Sequence, residues 1–377
     1  MKKALFYLLT FLITLFFAYI LTFFFYYISI DEEFKNSSLF KDKKQLYFYK
    51  KYSETLNHIR LPNRRAKNII SQSTNLHEMI YTITNKSNNT YTVLLQGDSW
   101  IQQISDFSEN SNYLKKNLGK NYNIVSAGIS SYSPSLMSLQ FKLLEEKFKI
   151  QPDFLITYID QTDITDETCR YKNLKKYDVN KNLIAVDYEK YPLFVDPFNI
   201  DRIIKLSEIS LTDRPKIDKV RKYLNYKIVK AMIKIVKVAN YKINKFSISK
   251  KCYGEHIEKN LISPSKKDVD YFKDSIREYF IRISDSEKLK KIYVVTHPYH
   301  KHITGEYKND VSEIVSQLSK EFPKINHVNF TDIIKKEKNF YLDTKLIWKK
   351  DNIHLKNKPF RDNFIKTIIQ NFNMSLN

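Results

Sequence analysis

The residues best placed to do chemistry are Ser99 and the late pair Asp351 and His354. Ser99 ends the stretch Thr92-Val93-Leu94-Leu95-Gln96-Gly97-Asp98-Ser99, an apolar run that stops at a glycine and hands over to a helix-like segment from Ile101. A buried strand ending in Gly-Asp-Ser puts the hydroxyl at the head of a helix, where backbone amides face developing negative charge. A serine hydroxyl is inert at its free pKa, so the reading requires a base and a group that orients the base. Asp351-Asn352-Ile353-His354 offers both: His354 to take the Ser99 proton and Asp351 to accept from the other imidazole nitrogen. His297 opens a second histidine group, His297-Pro298-Tyr299-His300-Lys301-His302, and is expected at the same edge, against substrate. That spacing also suggests a metal, but no carboxylates accompany it and the triad needs none, so neither metal nor cofactor is expected.

The elements that must position these residues alternate. Strands are predicted over 92–97, 123–126, 154–159, 291–296 and 327–330, and helices from 101 and over 135–148, 268–289, 311–319 and 360–372. Strand, helix, strand at this spacing implies an α/β domain on a parallel sheet, whose loops converge at one edge and bring Ser99, Gly128, Thr162 and the Asp351/His354 loop together. The pattern lapses between about 170 and 265, a helical insertion whose basic stretch 220–245 reads either as a cap or membrane-surface helix or as a packed helix with a solvated lysine face. Cys169 and Cys252 flank much of it, and pairing or two free thiols both fit.

Residues 5–30 form an uncharged, mostly apolar run after Lys2 and Lys3, long enough to cross a bilayer. With Asp31, Glu32 and Glu33 following, a short cytoplasmic N-terminus (1–4), a transmembrane anchor (5–30), a stalk or docking segment (31–89) and an extracytoplasmic domain (90–377) are expected. Within the stalk, a helix-like patch is expected around 43–56. The net charge of +22 would point to polyanions, yet a chain rich in Lys, Asn, Ile, Phe and Tyr with 5 Gly and 10 Pro carries the bias of an AT-rich genome. No recognition-helix, zinc-finger or ribonucleoprotein pattern is present, so no nucleic-acid partner is expected.

Four blocks in order resemble the SGNH/GDSL hydrolases: Gly97-Asp98-Ser99, then Gly128 within Ser126-Ala127-Gly128-Ile129-Ser130, then Asp160-Gln161-Thr162-Asp163, then Asp351-Asn352-Ile353-His354. The resemblance implies a flavodoxin-like three-layer α/β/α parallel sheet and a serine esterase or acyltransferase. Ser99, His354 and Asp351 are catalytic in that reading, and backbone N–H groups of Ser99 and Gly128 hold the oxyanion. The third block departs from the family, which usually has Gly-x-Asn-Asp. Thr162 falls at the Asn position, and its hydroxyl or the neighbouring Gln161 amide is the expected third donor. With an anchor and 14% aromatic residues for stacking on sugars, the expected substrate is an acylated cell-surface or exported polysaccharide, with acetyl the leading acyl group. Transfer in place of hydrolysis would need a membrane partner supplying the acyl donor. The alternative is a catalytically weak, SGNH-shaped scaffold of an envelope polysaccharide machine; a polyanion-binding surface protein is the third reading.

Overall fold

The computed structural model describes residues 6–17 in part, 48–62 except 54, 80–85, 91–187 except 147, 257–336 and 354–374. Its centre is a six-stranded sheet built from β3 (Tyr81–Thr84), β4 (Tyr91–Gly97), β5 (Tyr122–Gly128), β6 (Phe154–Tyr158), β9 (Lys291–Thr296) and β10 (Ile325–Asn329), in the spatial order β10-β9-β6-β4-β5-β3. All neighbours run parallel except β3, which pairs antiparallel with β5 at the edge. Counting the parallel strands alone, the order is 2-1-3-4-5, the flavodoxin-like arrangement, and it reverses between β4 and β6. Crevices for ligands open at such a reversal, beyond the carboxyl ends of the strands.

Both faces of the sheet are covered, which is why β4 and β6 read as unbroken apolar runs. One core lies under the helices Pro134–Glu146, Lys266–Ser284 and Asp310–Ser319. The second lies under Ser99–Asp106, Ser108–Leu118 and the C-terminal helix. The long helix shows how the pattern works: Phe272, Ile276, Tyr279, Phe280 and Ile283 recur at helical spacing and are buried, and the Ser265 hydroxyl caps it by accepting from the Asp268 N–H. Tyr279 then donates to Gln96 Oε1 (2.6 Å), with its hydroxyl oxygen also 3.0 Å from Thr157 Oγ1, while Gln96 Nε2 donates to the Met137 carbonyl and Gln140 Oε1. This buried network pins β4 just before the nucleophile.

The predicted elements of the sheet are present with shifted ends. The C-terminal helix differs in kind, opening as a π-helical turn (Phe360–Ile365) before the α-helix Lys366–Met374. The stalk expectation is corrected. No helix forms in the described part of 43–56; β1 (Phe48–Ser53) and β2 (Asn57–Pro62) make an antiparallel hairpin, turned at Asn57 with φ 57°. Asparagine tolerates that left-handed conformation, and the aromatic residues Phe48, Tyr49 and Tyr52 suit a strand. β3 also falls in the expected stalk.

The insertion begins with a second hairpin, β7 (Lys175–Tyr177) and β8 (Leu183–Val186), and closes with the helix Ile257–Ile262. Cys169 is disulfide-bonded; Cys252 and the basic stretch 220–245 lie outside the described residues. Lys175 forms a buried pair with Glu167 (2.8 Å). Glu167 also accepts from the Ser133 hydroxyl and from the Ser135 N–H and hydroxyl, which ties the insertion to the Pro134–Glu146 helix. The chain divides into two units, Met1–Lys43 with Lys190–Lys250, and Lys44–Glu189 with Lys251–Asn377; every residue of the site below is in the second. Among the described residues no helix is long and apolar enough to cross a membrane. Only part of 5–30 is described: Phe6, Tyr7, Leu9, Thr10, Phe11, Ile13, Thr14 and Phe17 are helical, and Phe6, Tyr7, Leu9, Phe11, Ile13 and Phe17 are exposed.

Candidate active site

Gly97 ends β4 with φ 152°, and a Cβ there would lie 2.9 Å from Ile101 Cγ1 and 3.0 Å from Tyr158 Cβ. Only glycine fits between strand and helix at this exit. The next residue, Asp98, caps the following helix by accepting from the Trp100 N–H at 2.8 Å, and the helix begins at Ser99. Ser99 is therefore half-buried at the carboxyl end of the central strand, with its N–H at the positive end of a helix. His354 enters from the far end of the chain, and its Nε2 lies 2.7 Å from Ser99 Oγ. That is the distance at which an imidazole can take a hydroxyl proton. Asp351 lies outside the described residues.

Behind the serine sit three buried carboxylates, Asp98, Asp160 and Asp163, with ligand-type oxygens all within 4.8 Å of one another. Such spacing would suit a cation, yet hydrogen-bond donors hold most of these oxygens. Asp98 Oδ2 accepts from Ser99 Oγ (3.2 Å), Asp160 Oδ1 from the Thr162 N–H (2.7 Å) and hydroxyl (2.6 Å), and Asp160 Oδ2 from the Tyr299 hydroxyl (2.5 Å). Asp163 Oδ2 accepts from the Asp160 N–H (3.1 Å). Burial first, and the Asp160 charge second, push both Asp98 and Asp163 well above the usual carboxylate range.

The third block holds its polar groups away from an oxyanion role. The Thr162 hydroxyl donates to Asp160, as above. The Gln161 amide donates to the Asn260 carbonyl (3.1 Å) and accepts from the Val311 N–H (3.2 Å), which fastens the loop to two helices. Neither side chain is poised as the expected donor. Gly128 ends β5 in register with Gly97, and a Cβ there would stand 2.4 Å from Gln102 N and 2.5 Å from the Ile101 carbonyl carbon. It lets the Ser99 helix lie directly on the sheet; its N–H as an oxyanion donor remains an expectation. His297 is corrected. It does not reach the substrate edge but is buried among Trp100 (ring centroids 4.6 Å apart), Phe330 (5.2 Å) and Phe364 (6.0 Å), and burial lowers its pKa to about 3. Within the same histidine group, His302 Nδ1 accepts from the Tyr299 N–H (3.0 Å).

Several residues of the site were not singled out from sequence. Trp100 is fully buried and stacks on Tyr158 (5.2 Å, 23°), forming the floor beneath His354. Gln102 Oε1 accepts the Ser130 N–H (2.6 Å), and Ser131 stands in the left-handed region at φ 66°. A polar residue one turn after a nucleophile was the available signal for Gln102; nothing in the local sequence marks Ser131.

No protein-family model matches this chain, and no curated protein does. Solved structures with a similar arrangement include Axe2, an acetylxylan esterase from Geobacillus stearothermophilus, at 11% identity over 75% of this chain and 96% of that one, with a TM-score of 0.37. Another is LAE5, an α/β hydrolase from the metagenome of Lake Arreo, Spain, at 10% identity over 75% and 94%, with a TM-score of 0.39. Likeness at this level carries none of the chemistry argued below.

Proposed function

We propose that the chain is a serine esterase of SGNH type that removes or transfers a short acyl group, with acetyl the leading candidate, on a cell-surface or exported polysaccharide. The observation that carries this reading is the 2.7 Å approach of His354 Nε2 to Ser99 Oγ at the topological switch point of a flavodoxin-like sheet. Ser99 attacks the ester carbonyl while His354 takes the hydroxyl proton. The tetrahedral oxyanion collects at the Ser99 N–H, a donor of the kind worth about 3 kcal/mol. His354 returns the proton to the departing alcohol, leaving an acyl-enzyme that water or an acceptor hydroxyl resolves. Asp351 is assigned the far imidazole nitrogen. Location and substrate class rest on the apolar run 5–30 with its flanking charges, and transfer would require a membrane partner that supplies the acyl donor.

The test is covalent labelling of the full chain by a fluorophosphonate, with mass spectrometry to locate the adduct. Labelling at Ser99 that disappears in His354→Ala supports the reading, and a folded protein that does not label there sinks it. One observation favours a second reading, a scaffold subunit of an envelope polysaccharide assembly: the Thr162 hydroxyl and Gln161 amide are committed elsewhere, which leaves the oxyanion short of a donor. Under that reading, Ser99→Ala leaves polysaccharide acylation in cells unchanged while deletion of the chain disturbs assembly.

A further inference from the structure

His58 belongs to the N-terminal hairpin, far in sequence from any catalytic block, yet its ring is 1% exposed and reaches the loop after β5. Its Nε2 lies 2.9 Å from the Ser130 carbonyl oxygen, and its Nδ1 lies 2.9 Å from Asn57 Oδ1. A carbonyl can only accept, so Nε2 carries a hydrogen. The orientation of the Asn57 amide is set independently, because its Nδ2 donates to the Asp187 carbonyl at 2.6 Å. The oxygen turned toward the imidazole is therefore an acceptor too, and Nδ1 must also carry a hydrogen. A neutral imidazole has one N–H and this ring needs two.

The loop it touches is fastened at every peptide. The Ile129 N–H donates to the Gly97 carbonyl (3.0 Å), the Ser130 N–H to Gln102 Oε1 (2.6 Å), and the Tyr171 hydroxyl to the Ser131 carbonyl (2.5 Å). Ser131, with φ 66°, holds a conformation that L side chains visit at a cost and keep only where surroundings impose it. Because β4 and β5 are parallel and end in register at Gly97 and Gly128, this loop emerges beside Ser99. Gln102 ties it to the helix that Ser99 begins. His58 supplies the tie from outside the sheet.

We propose that His58, held as an imidazolium between Ser130 and Asn57, is a positioning residue that clamps the 129–131 loop beside the nucleophile. The meaning of the clamp for catalysis rests on the esterase reading above; the clamp itself does not. Among the described residues, two further groups lie near this arrangement. Tyr132 packs edge-on at 5.3 Å, donates its hydroxyl to the His58 carbonyl (2.7 Å), and is kept neutral because burial drives its pKa upward. The Asp187 carboxylate, on the residue that orients Asn57, is paired with Lys176 at 2.6 Å.

The experiment uses the full chain with nitrogen-15 histidine, together with His58→Gln and His58→Leu. At neutral pH the His58 ring, assigned by its loss in the variants, is expected to show both nitrogens protonated. Glutamine still donates to Ser130, so amide exchange across 129–132 and the labelling rate at Ser99 should stay within about threefold of the parent. Leucine donates nothing, and exchange should quicken at least tenfold with a labelling rate at least tenfold slower. A singly protonated His58 overturns the proposal, and that spectrum is read on the unsubstituted chain even if His58→Leu does not fold. Parental exchange in a folded His58→Leu overturns it as well. If the parent does not label at Ser99 while ring protonation and exchange behave as expected, the esterase reading fails and the clamp stands.

Discussion

The Trp100 indole lies with its ring centroid 6.0 Å from that of the His354 imidazole, their planes tilted by 39°. The residue after the nucleophile thus forms the support for the base. Replacing Trp100 by alanine removes the centre of a cluster that also holds Tyr158, His297 and Phe364. The expected loss is about 3–5 kcal/mol of stability. Labelling of Ser99 should also slow in molecules that remain folded, because the imidazole loses the surface that fixes it. Trp100→Phe should recover much of both; urea unfolding and labelling rates, measured on the same samples, decide.

The carboxylates behind Ser99 make stability depend on pH. For Asp98 and Asp163 the folded-state pKa stands above the ordinary value of 3.8, so the folded protein holds protons the unfolded chain releases. Their contribution is intact below pH 3.8 and is lost as pH rises from there toward the raised values. Asp160→Asn removes the charge responsible for part of the shift. Its melting temperature at pH 7 should equal or exceed the parent's, with the gap closing toward pH 5. A variant that melts lower at pH 7 and keeps the parent's pH slope would contradict this.

Glu167 behaves in the opposite sense. Burial alone would raise its pKa, but Lys175 and the Ser133 and Ser135 donors outweigh that and lower it. The stability it confers is present above the usual glutamate value of 4.5 and is lost as pH falls through the lowered one. Lys175→Met strands the buried carboxylate and should cost about 3–5 kcal/mol. Glu167→Gln combined with Lys175→Met should be milder than Lys175→Met alone, a comparison that chemical denaturation makes directly.

Gly128→Ala tests the seat of the nucleophile helix. A methyl group 2.4 Å from the Gln102 nitrogen cannot be accommodated by a side chain moving aside, since the obstacle is backbone. We expect about 3 kcal/mol of destabilisation or more, and a labelling rate reduced beyond what the unfolded fraction explains. A parental melting curve would show that the helix sits less tightly on β5 than the structure has it.

Sequence carried the sheet and the nucleophile well, because β4, β5, β6 and β9 are buried on both faces and therefore written as continuous apolar runs bounded by glycine or proline. The Ser99 and His354 pairing was legible for the same reason: parallel strands force their loops to one edge. His297 was misplaced because a strand end also faces the layers above and below the sheet, and burial among Trp100 and Phe364 is a tertiary outcome that no local pattern records. The hairpin β1/β2 was hidden by charged residues that read as a solvated helix. The roles of Thr162 and Gln161 depend on Asp160 and Asn260, partners that spacing alone cannot assign.

The edge strand β3 has a practical consequence for handling the protein. Composition draws a domain boundary at the Asn and Ser cluster 85–89, immediately before β4. A chain begun there would lack β3 and leave the outer backbone groups of β5 unpaired, a template for joining to a second molecule. It would also lack Leu56, which bridges Val186 at the start of the insertion. Shortened chains that start after β3 should therefore self-associate in solution, and those that start before Phe48 should remain dispersed.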